Sequence, residues 1–348
     1  MTQKLPEGSL HYPFPEPPKN KDIIEIAGGI LWLRLPLPFR LNHINIFLID
    51  DGDGWAILDT GIANRATTDL WSFFISDRLR GRKLTRLIAT HYHPDHIGLA
   101  GWFAETHGVP LLTTQTTYLQ CTAIALNPSG LDAKPYRDFY LRHGLTTEVA
   151  ALLAVQGHGY MSMVSPLPPF FERIVAGDRL TMNGRVFDVL TGDGHAPEQA
   201  MLACSQEKLF FAADQVLDTI SPNISVWATE PHGDPLGLYL RSLSQLKADL
   251  PDSVIVLPSH GLPFTGLHAR LNQIAAHHER RCSMLLKAAR GPKSAAELVP
   301  ALFPRHLDAH EMSFAFSEVL AHVNHLLRKG SLLQAEPQDG IERVIARK

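Results

Sequence analysis

The sequence predicts an α+β fold in which a strand-rich domain is followed by a smaller, helical C-terminal domain. Apolar strand patterns fill much of residues 23–113 and return between residues 179 and 260. After Gly266 the strands give way to helical periodicity, and the chain closes with a two-stranded pattern. With 348 residues, 45% of them hydrophobic, the chain is long enough for two domains with a sizeable core.

The first strand-rich stretch is typical of two hairpins followed by further strands. Apolar segments flank Gly28 and Gly29, and a second pair flanks the turn at residues 51–54, so we predict a hairpin at each place. Another strand is expected to end just before His91. Pro94 favours the first turn of a helix that we expect to run to about Thr106, because the missing N–H of proline costs nothing there.

Residues 115–172 are predicted to form a helical insertion that acts as a lid or as one wall of a cleft. Apolar residues fall there at helical spacings, with breaks rich in glycine and proline such as residues 127–130. From Arg179 the strand pattern resumes. An amphipathic helix is expected over residues 235–250, and a last short strand leads to His260.

The C-terminal residues 267–348 are predicted to form a winged-helix-like domain. A long helix begins after Gly266, a short helix begins near Ser294, and a third helix spans residues 316–329 and ends at Gly330. A hairpin then closes the chain. The order helix, helix, helix, hairpin is that of a winged helix.

Residues 1–22 are expected to be an extended surface arm, so that the strand-rich domain spans residues 23–266. Five of the first twenty residues are prolines, and no apolar run there suits a signal peptide. No run approaches the roughly 18 apolar residues of a membrane helix, so no membrane partner is expected. Three widely spaced cysteines suit buried positions in a reducing compartment, which predicts a cytoplasmic protein.

Residues 90–96, Thr-His-Tyr-His-Pro-Asp-His, contain the strongest candidate metal site. His91 and His93 lie two residues apart at a strand end and point the same way, so they can share one metal ion. Asp95 and His96 begin the following helix and suit a second ion beside the first. All four side chains offer nitrogen or oxygen, which favours zinc, iron or manganese over a thiolate site.

Three further candidate ligands close later strand patterns. They are His195 in Thr-Gly-Asp-Gly-His-Ala-Pro, Asp214 after Phe-Ala-Ala, and His260 in Pro-Ser-His-Gly. Each follows an apolar run and precedes a turn, where sheets support active-site loops. Taken alone, such residues are more often structural, and they gain weight from the cluster at residues 90–96. Of the 18 histidines, the thirteen outside this set have no predicted role.

Taken in order, and with Ile-Leu-Asp-Thr-Gly at residues 57–61, these motifs resemble those of the metallo-β-lactamase superfamily over roughly residues 23–266. The resemblance implies an αββα sandwich of two packed sheets, with helices outside and the metals at one edge. It implies that His91, His93 and His195 hold one metal ion, that Asp95, His96 and His260 hold the other, and that Asp214 bridges them. Asp59, in the first motif, would order the metal-binding loops from outside the ligand set.

The same resemblance implies a binuclear metal-dependent hydrolase, with zinc as the expected metal and iron or manganese as alternatives. Two divalent ions lower the pKa of a bridging water and polarise the scissile group, which the metal-bridging hydroxide then attacks. Asp95 and Asp214 are the predicted catalytic carboxylates. Asp95 is expected to accept and return a proton in addition to binding metal.

Absent features narrow the substrate class. Asp214 and His260 are 46 residues apart, too close for the large insert of the β-CASP nucleases. His93 stands where the flavodiiron proteins have a glutamate, and no signal pattern marks an exported antibiotic lactamase. With these subfamilies set aside, the sequence resembles glyoxalase-II-like thioesterases. Residues 236–348 also loosely resemble the mitochondrial β-lactamase-like endoribonucleases. We predict hydrolysis of a thioester or ester of acyl-glutathione or acyl-CoA type. Phosphodiester hydrolysis of single-stranded nucleic acid and lactone hydrolysis are the alternatives.

Charge favours a small-molecule substrate over nucleic acid. The net charge is −3, and residues 277–348 carry eleven lysines and arginines against eight aspartates and glutamates, a weak balance for phosphate binding. The winged-helix-like domain is therefore expected to pack on the sandwich, close the cleft or form a homodimer contact. A metal-free binding module is least favoured, because all seven ligand positions are retained. The polar residues expected near the cleft, to which the sequence assigns no role, are Tyr118, Tyr160, Arg142 and Asn223.

Overall fold

Two mixed β-sheets packed face to face, with helices on their outer faces, form the α+β architecture of the chain. The structure, a computed structural model, describes residues 10–126 and 134–348. The predicted break at residues 127–130 and the first nine residues of the predicted arm lie outside the described residues. In the rest of the arm, His11 and Thr265 exchange two backbone hydrogen bonds, which attach the arm to the sandwich.

The first sheet contains seven strands that lie side by side in chain order. The strands are β1 Ile24–Ala27, β2 Ile30–Pro36, β3 His43–Asp50, β4 Gly54–Leu58, β5 Lys83–Ile88, β6 Leu111–Thr113 and β7 Glu172–Arg173. Neighbours from β1 to β4 are antiparallel, and neighbours from β4 to β7 are parallel. Both predicted hairpins, at Gly29 and at residues 51–54, are confirmed.

The second sheet contains five strands in the order β12-β11-β10-β9-β8. The strands are β8 Arg179–Met182, β9 Arg185–Gly192, β10 Gln199–Cys204, β11 Leu209–Ala213 and β12 Ile255–Pro258. All neighbours are antiparallel except β11 and β12, which run parallel with Ala213 opposite Pro258. The carboxyl ends of β11 and β12 therefore meet at one edge of the sheet.

An apolar layer fills the space between the two sheets. Trp32 and Phe47 of the first sheet belong to the same buried cluster as Phe187 and Phe211 of the second. The rings of Phe47 and Phe211 meet edge to face, with centroids 5.3 Å apart. Along β3 the alternate residues, such as Leu48, are buried on the opposite face under helices, which explains why this strand is apolar throughout.

Ten helices are found in the described part of the chain. They are α1 Arg65–Phe73, α2 Pro94–Ile97, α3 Ala100–His107, α4 Gln115–Leu126, α5 Lys134–Arg142, α6 Thr147–Met161, α7 Pro235–Asp249, α8 Leu267–Ala288, α9 Ala295–Leu302 and α10 Ala309–Arg328. A π-helical turn, Phe74–Arg78, extends α1. Trp71 of α1 and Phe103 of α3 pack on the outer face of the first sheet, and α7 covers the second. None of the described helices is long and apolar enough to span a membrane.

The prediction of one helix from Pro94 to about Thr106 was wrong, because two helices occupy this stretch. The backbone N–H of Leu99 donates to the side-chain oxygen of Thr60 and so leaves the helical ladder. Gly98 packs so closely that a Cβ on it would lie 2.6 Å from the Gly61 carbonyl oxygen. These two contacts separate α2 from α3 and hold both against the loop that follows β4.

The predicted insertion at residues 115–172 contains α4, α5 and α6. Cys121 of α4 is buried with the outer core of the first sheet. Phe139 and Tyr140 of α5 instead join the core of the C-terminal region, where the rings of Tyr140 and Phe316 are 6.1 Å apart. The insertion therefore links the sandwich to the C-terminal helices. Its role as a cover stays a prediction.

The C-terminal region has the predicted order of three helices and a hairpin. The hairpin strands are β13 Leu332–Gln338 and β14 Ile341–Ala346. The third helix begins at Ala309, earlier than predicted, because Asp308 and Glu311 form a capping box at its start. Leu320 of α10 shares one buried cluster with Leu243 of α7, so these helices pack directly on the sandwich. The winged-helix assignment itself stays a prediction.

Buried histidines lie where α8 packs on α10. His278 and His322 have ring nitrogens 3.1 Å apart, and Nδ1 of His322 donates to the carbonyl oxygen of Glu318. Burial and the nearby positive charge of Arg281 lower the pKa of His322 to about 3. Burial also holds the pKa of His278 well below its usual value. Both rings are therefore neutral in the folded protein.

We expect this pair to make folding stability fall as the pH drops below about 6.5. The unfolded histidines bind protons there, whereas the folded ones stay neutral. The unfolding free energy therefore declines as the pH falls, until the pH nears the lowered folded-state values. A His322→Gln variant should lose about 1.4 kcal/mol less stability than the wild type between pH 7.5 and pH 5.5. Urea unfolding at both values measures this difference.

The same charged and titratable groups surround the pair in both proteins, so the difference reports on His322 and on its effect on His278. These groups are Arg281, Glu318, His277, His325 and Tyr239. An equal loss of stability in the wild type and in His322→Gln would contradict the prediction.

Candidate metal centre

Seven candidate ligands converge at one end of the sandwich, each just beyond a strand or on the short helix that follows one. His91 and His93 follow β5, Asp95 and His96 lie on α2, His195 follows β9, Asp214 follows β11, and His260 follows β12. The pairing of the strands therefore fixes the positions of the backbone atoms that carry these side chains.

The ligand atoms fall into groups whose members all lie within 4.8 Å of one another. The groups are His91, His93 and His195; Asp95, His96 and His260; and His91, His96 and Asp214. In the first, His91 Nε2 and His93 Nδ1 are 2.9 Å apart. In the second, His260 Nε2 and Asp95 Oδ2 are 3.4 Å apart. The structure thus brings together all seven residues that the sequence singled out.

Asp214 lies between the first two groups. Its Oδ2 atom is 3.3 Å from Nε2 of His195. Its Oδ1 atom is 3.4 Å from Nε2 of His260 and 3.6 Å from Nε2 of His96. One carboxylate therefore faces both groups with different oxygens, which is the placement that a bridging ligand needs.

Several polar atoms of the candidate ligands lack a hydrogen-bond partner among the described residues, as expected at a cation-binding site. His96 Nε2, His195 Nε2 and Asp214 Oδ1 are buried and form no hydrogen bond with any described residue. Leaving such groups unpaired is costly, and a metal ion that accepts their lone pairs removes the cost. Since the donors are imidazole nitrogens and carboxylate oxygens, the residues fit a divalent transition metal such as zinc, iron or manganese.

Burial keeps part of the histidine set neutral. Burial, together with the neighbouring imidazole of His195, lowers the pKa of His93 to about 3. Burial likewise holds the pKa of His91 well below its usual value. Neutral imidazole is the form that binds metal, because its lone pair is free.

Two carboxylates raise the pKa values of His96 and His260. Burial alone would lower the pKa of His260, but the charges of Asp214 and Asp95 raise it to about 10. The pKa of His96 is raised in the same way, against burial, by Asp95 and Asp214. Burial would raise the pKa of Asp95, but His96 and His260 lower it to about 2, so this carboxylate is ionised. A cation bound here would replace the protons on these histidines.

Asp59 orients the loop that carries the first ligands. Its Oδ2 atom accepts a hydrogen bond from Nδ1 of His96 at 2.8 Å, and its two oxygens accept from the backbone and side chain of Thr90. A carboxylate behind a histidine fixes the tautomer and aims Nε2 at the metal. Asp59 has φ +63°, a strained conformation that these bonds maintain.

Backbone carbonyls hold two other ligands, and sequence reasoning missed this role. The Nδ1–H of His260 donates to the carbonyl oxygen of His43 at 2.7 Å. The Nδ1–H of His195 donates to the carbonyl oxygen of Asn223 at 2.9 Å. Because any residue carries a carbonyl, no sequence pattern could have revealed either contact.

Tight backbone packing sets the direction of His195 and Asp214. Gly194 has φ +106°, and a Cβ on it would lie 2.4 Å from Cβ of Tyr239. Ala213, just before Asp214, has φ +47° at a bulge between β11 and β12. Such strain is characteristic of functional loops that the surrounding structure holds in place.

The polar residues expected near the cleft have different environments. Tyr160 donates to the carbonyl oxygen of Tyr92, between two of the ligands. Tyr118 donates to the carbonyl oxygen of Pro168. Arg142 is 3.9 Å from Glu342 of the C-terminal hairpin. Of the four, Asn223 alone makes a hydrogen bond to a ligand candidate among the described contacts.

A fourth group of potential ligands lies far along the chain, at His278, Glu318 and His322. There the guanidinium of Arg281 donates to the Glu318 carboxylate, and both side chains are buried. We interpret this group as a hydrogen-bonded part of the core, because a buried cation would face the charge of Arg281.

Comparisons with known proteins agree with this geometry. Residues 40–260 match the family model of the metallo-beta-lactamase superfamily, and residues 282–346 match a model described as a metallo-beta-lactamase-like C-terminal domain. A beta-lactamase domain protein from Burkholderia ambifaria has a similar solved structure, with 37% identity, a TM-score of 0.88 and 97% of each chain covered.

Two curated relatives are similar to the chain. The probable metallo-hydrolase YqjP of Bacillus subtilis is 23% identical over 306 residues, covering 85% of this chain and 92% of that protein. The hydroxyacylglutathione hydrolase of Pseudomonas entomophila is 29% identical over 190 residues, covering 51% of this chain and 64% of that protein. With its family match, its fold and its cluster of seven potential ligands, the chain belongs to the metallo-beta-lactamase superfamily and is a metal-dependent hydrolase.

Proposed function

We propose that this hydrolase cleaves a thioester or ester, of acyl-glutathione or acyl-CoA type, at a centre of two divalent metal ions. Zinc is the expected metal. The observation that carries the binuclear centre is the position of Asp214, whose two oxygens face different groups of histidines. When bound, such ions activate water and polarise a carbonyl group.

The chain's own residues prepare the reaction. His91, His93 and His195 form one ligand set, Asp95, His96 and His260 form the other, and Asp214 lies between them. Asp95 is the more exposed of the two carboxylates, with 18% of its side chain accessible against 9% for Asp214. In the proposed reaction Asp95 accepts the proton of the attacking water at its carboxylate and returns it to the leaving thiol or alcohol.

Similarity and surface chemistry support an acyl substrate. The hydroxyacylglutathione hydrolase of Pseudomonas entomophila, by its name, cleaves such a thioester. Leu119 and Phe170, near the two ends of the insertion, are 53% and 80% exposed. They are linked to each other by the stacked rings of Tyr118 and Phe171. Exposed apolar groups here suit the acyl part of a substrate.

A cytoplasmic setting and a small-molecule substrate are part of the proposal. The three cysteines are free thiols, and Cys121 and Cys204 are buried. Free thiols suit a reducing compartment.

A hydrolysis panel on the metal-loaded protein tests the proposal. It compares S-acyl-glutathione and acyl-CoA thioesters with a lactone, a β-lactam, bis-p-nitrophenyl phosphate and single-stranded RNA. We expect the highest kcat/KM on a thioester, with about two metal ions per chain by elemental analysis. Cleavage of RNA or the phosphodiester, with thioesters untouched, would replace this proposal with the nuclease alternative.

Replacing the central carboxylate should be the most damaging single change. We expect Asp214→Ala to lower kcat more than about a hundredfold, and more than alanine at any one of the ligand histidines. Loss of a mere supporting contact to a ligand already costs about 10–100-fold. Asp188→Ala, which removes an exposed carboxylate of β9 paired with Arg179, is the matched control. Near-normal turnover by Asp214→Ala would show that Asp214 does not bridge.

The apolar side chains of the insertion should set substrate preference without supplying chemistry. We expect Leu119→Ala combined with Phe170→Ala to raise KM for a long-chain acyl thioester about tenfold, since each removes apolar contact area. Turnover of a small activated ester and metal content should stay unchanged. Leu333→Ala, at a leucine 45% exposed in the C-terminal hairpin, is the control. Loss of hydrolysis of every substrate in the folded variant would mean that the insertion holds a catalytic group.

A further inference from the structure

The segment of residues 221–228 connects a candidate metal ligand to the C-terminal helices. Its residues alternate in environment, with Ile224 and Val226 buried in the core that contains Phe316 and Leu320 of α10. The backbone N–H of Val226 also donates to the carbonyl oxygen of Ser317 at 3.2 Å. The segment is thus fastened to α10 by apolar packing and by a backbone hydrogen bond.

A chain of side-chain hydrogen bonds runs along the same segment. The Nδ2 atom of Asn223 donates to Oγ of Ser225, which lies 3.0 Å from Oγ of Ser317. Ser317 in turn donates to the carbonyl oxygen of Ser313, one turn earlier in α10. When Ser317 donates its proton to a carbonyl of α10, its oxygen can accept the proton of Ser225, which in turn accepts from Asn223.

The ring of His195 meets the same residue, Asn223, through its backbone. Its Nδ1–H donates to the backbone carbonyl oxygen of Asn223, and Nε2, the nitrogen left for a metal ion, faces Asp214. A histidine that binds metal needs its other nitrogen fixed in this way. The direction of the His195 ring therefore depends on where Asn223 is held.

His195 differs in this respect from the other ligand histidines. Nδ1 of His96 bonds to Asp59 and that of His260 bonds to the carbonyl of His43, both in or beside the first sheet. The partner of His195 lies instead on a segment fastened to α10. Groups of the sandwich hold Nδ1 of His96 and of His260, whereas the group that holds Nδ1 of His195 lies on a segment packed against α10.

We propose that Ser225 and Ser317 are positioning residues for His195, through which the C-terminal domain completes the metal centre. The inference rests on the proposed metal-binding role of His195. In this proposal α10 holds the ring of His195 in the orientation in which Nε2 can bind one of the two ions. The two hydroxyl groups do not touch the reacting atoms.

Stepwise metal affinities of the full-length protein test this inference without any substrate. Cobalt(II) or zinc is titrated into the metal-free protein in competition with a chromophoric chelator. We expect Ser317→Ala and Ser225→Ala each to weaken one of the two bound ions about tenfold, the lower end of the range for supporting contacts. The affinity for the other ion should remain normal. In the cobalt protein, the absorption bands of one site alone should change.

Two further variants separate positioning from a general loss of stability. Ser225→Thr keeps the hydroxyl group and should restore the affinity. Ser283→Ala removes a comparable hydroxyl bond to the carbonyl oxygen of Glu279, in α8 of the same domain, and should change neither affinity. Ser225 is half-buried whereas Ser317 is buried, so Ser225→Ala carries the test if the Ser317→Ala variant folds poorly.

Wild-type affinities for both ions in Ser225→Ala and Ser317→Ala would overturn the inference. So would an equal weakening of both ions that Ser283→Ala reproduces. If the wild type binds two ions and the variants behave as expected, the inference stands even where the hydrolysis panel favours a different substrate.

Discussion

The cost of crowding charged and polar side chains into a buried space governs this structure. Around Asp214, carboxylate oxygens and imidazole nitrogens lie only 3.3 to 3.6 Å apart, and three of these atoms have no hydrogen-bond partner within residues 10–126 and 134–348. Such a cluster relaxes unless something rigid resists it. The two sheets provide that resistance, because each ligand starts at a strand end whose register is fixed. The strained backbone at Asp59 and Ala213 shows how firmly the loops are held.

The sequence could predict which candidate ligands lie together, and most of the strands, because both depend on local pattern. Two-residue alternation marks β2 and β3, and the spacing of His91 and His93 puts both imidazoles on one side of the chain. The helix α1 escaped prediction: its burial depends on a distant contact, since Trp71 donates its indole N–H to the carbonyl oxygen of Thr60. The break between α2 and α3 has the same cause, because Thr60 also takes the backbone N–H of Leu99.

The groups that hold the candidate ligands in place could not be predicted from the sequence, because they also depend on distant contacts. Asp59 could be singled out because it lies in the first motif of the family resemblance, at residues 57–61. The carbonyl oxygens behind His195 and His260 belong to Asn223 and His43, where residue type carries no information about the contact. The same holds for the packing of α10 on the segment of residues 221–228. Tertiary structure, rather than residue identity, decides which backbone group meets which ring.

Because β11 and β12 are paired in parallel, the positions of Asp214 and His260 do not depend on the length of the chain that joins the two strands. Asp214 and His260 follow strands that are hydrogen-bonded side by side, so their spacing depends on the ladder rather than on the chain that joins them. The joining chain, which includes α7, can lengthen, shorten or change its surface while both side chains keep their places. Substitutions, insertions and deletions in this connection can therefore change the surroundings of Asp214 and His260, because the paired strands keep both side chains in place.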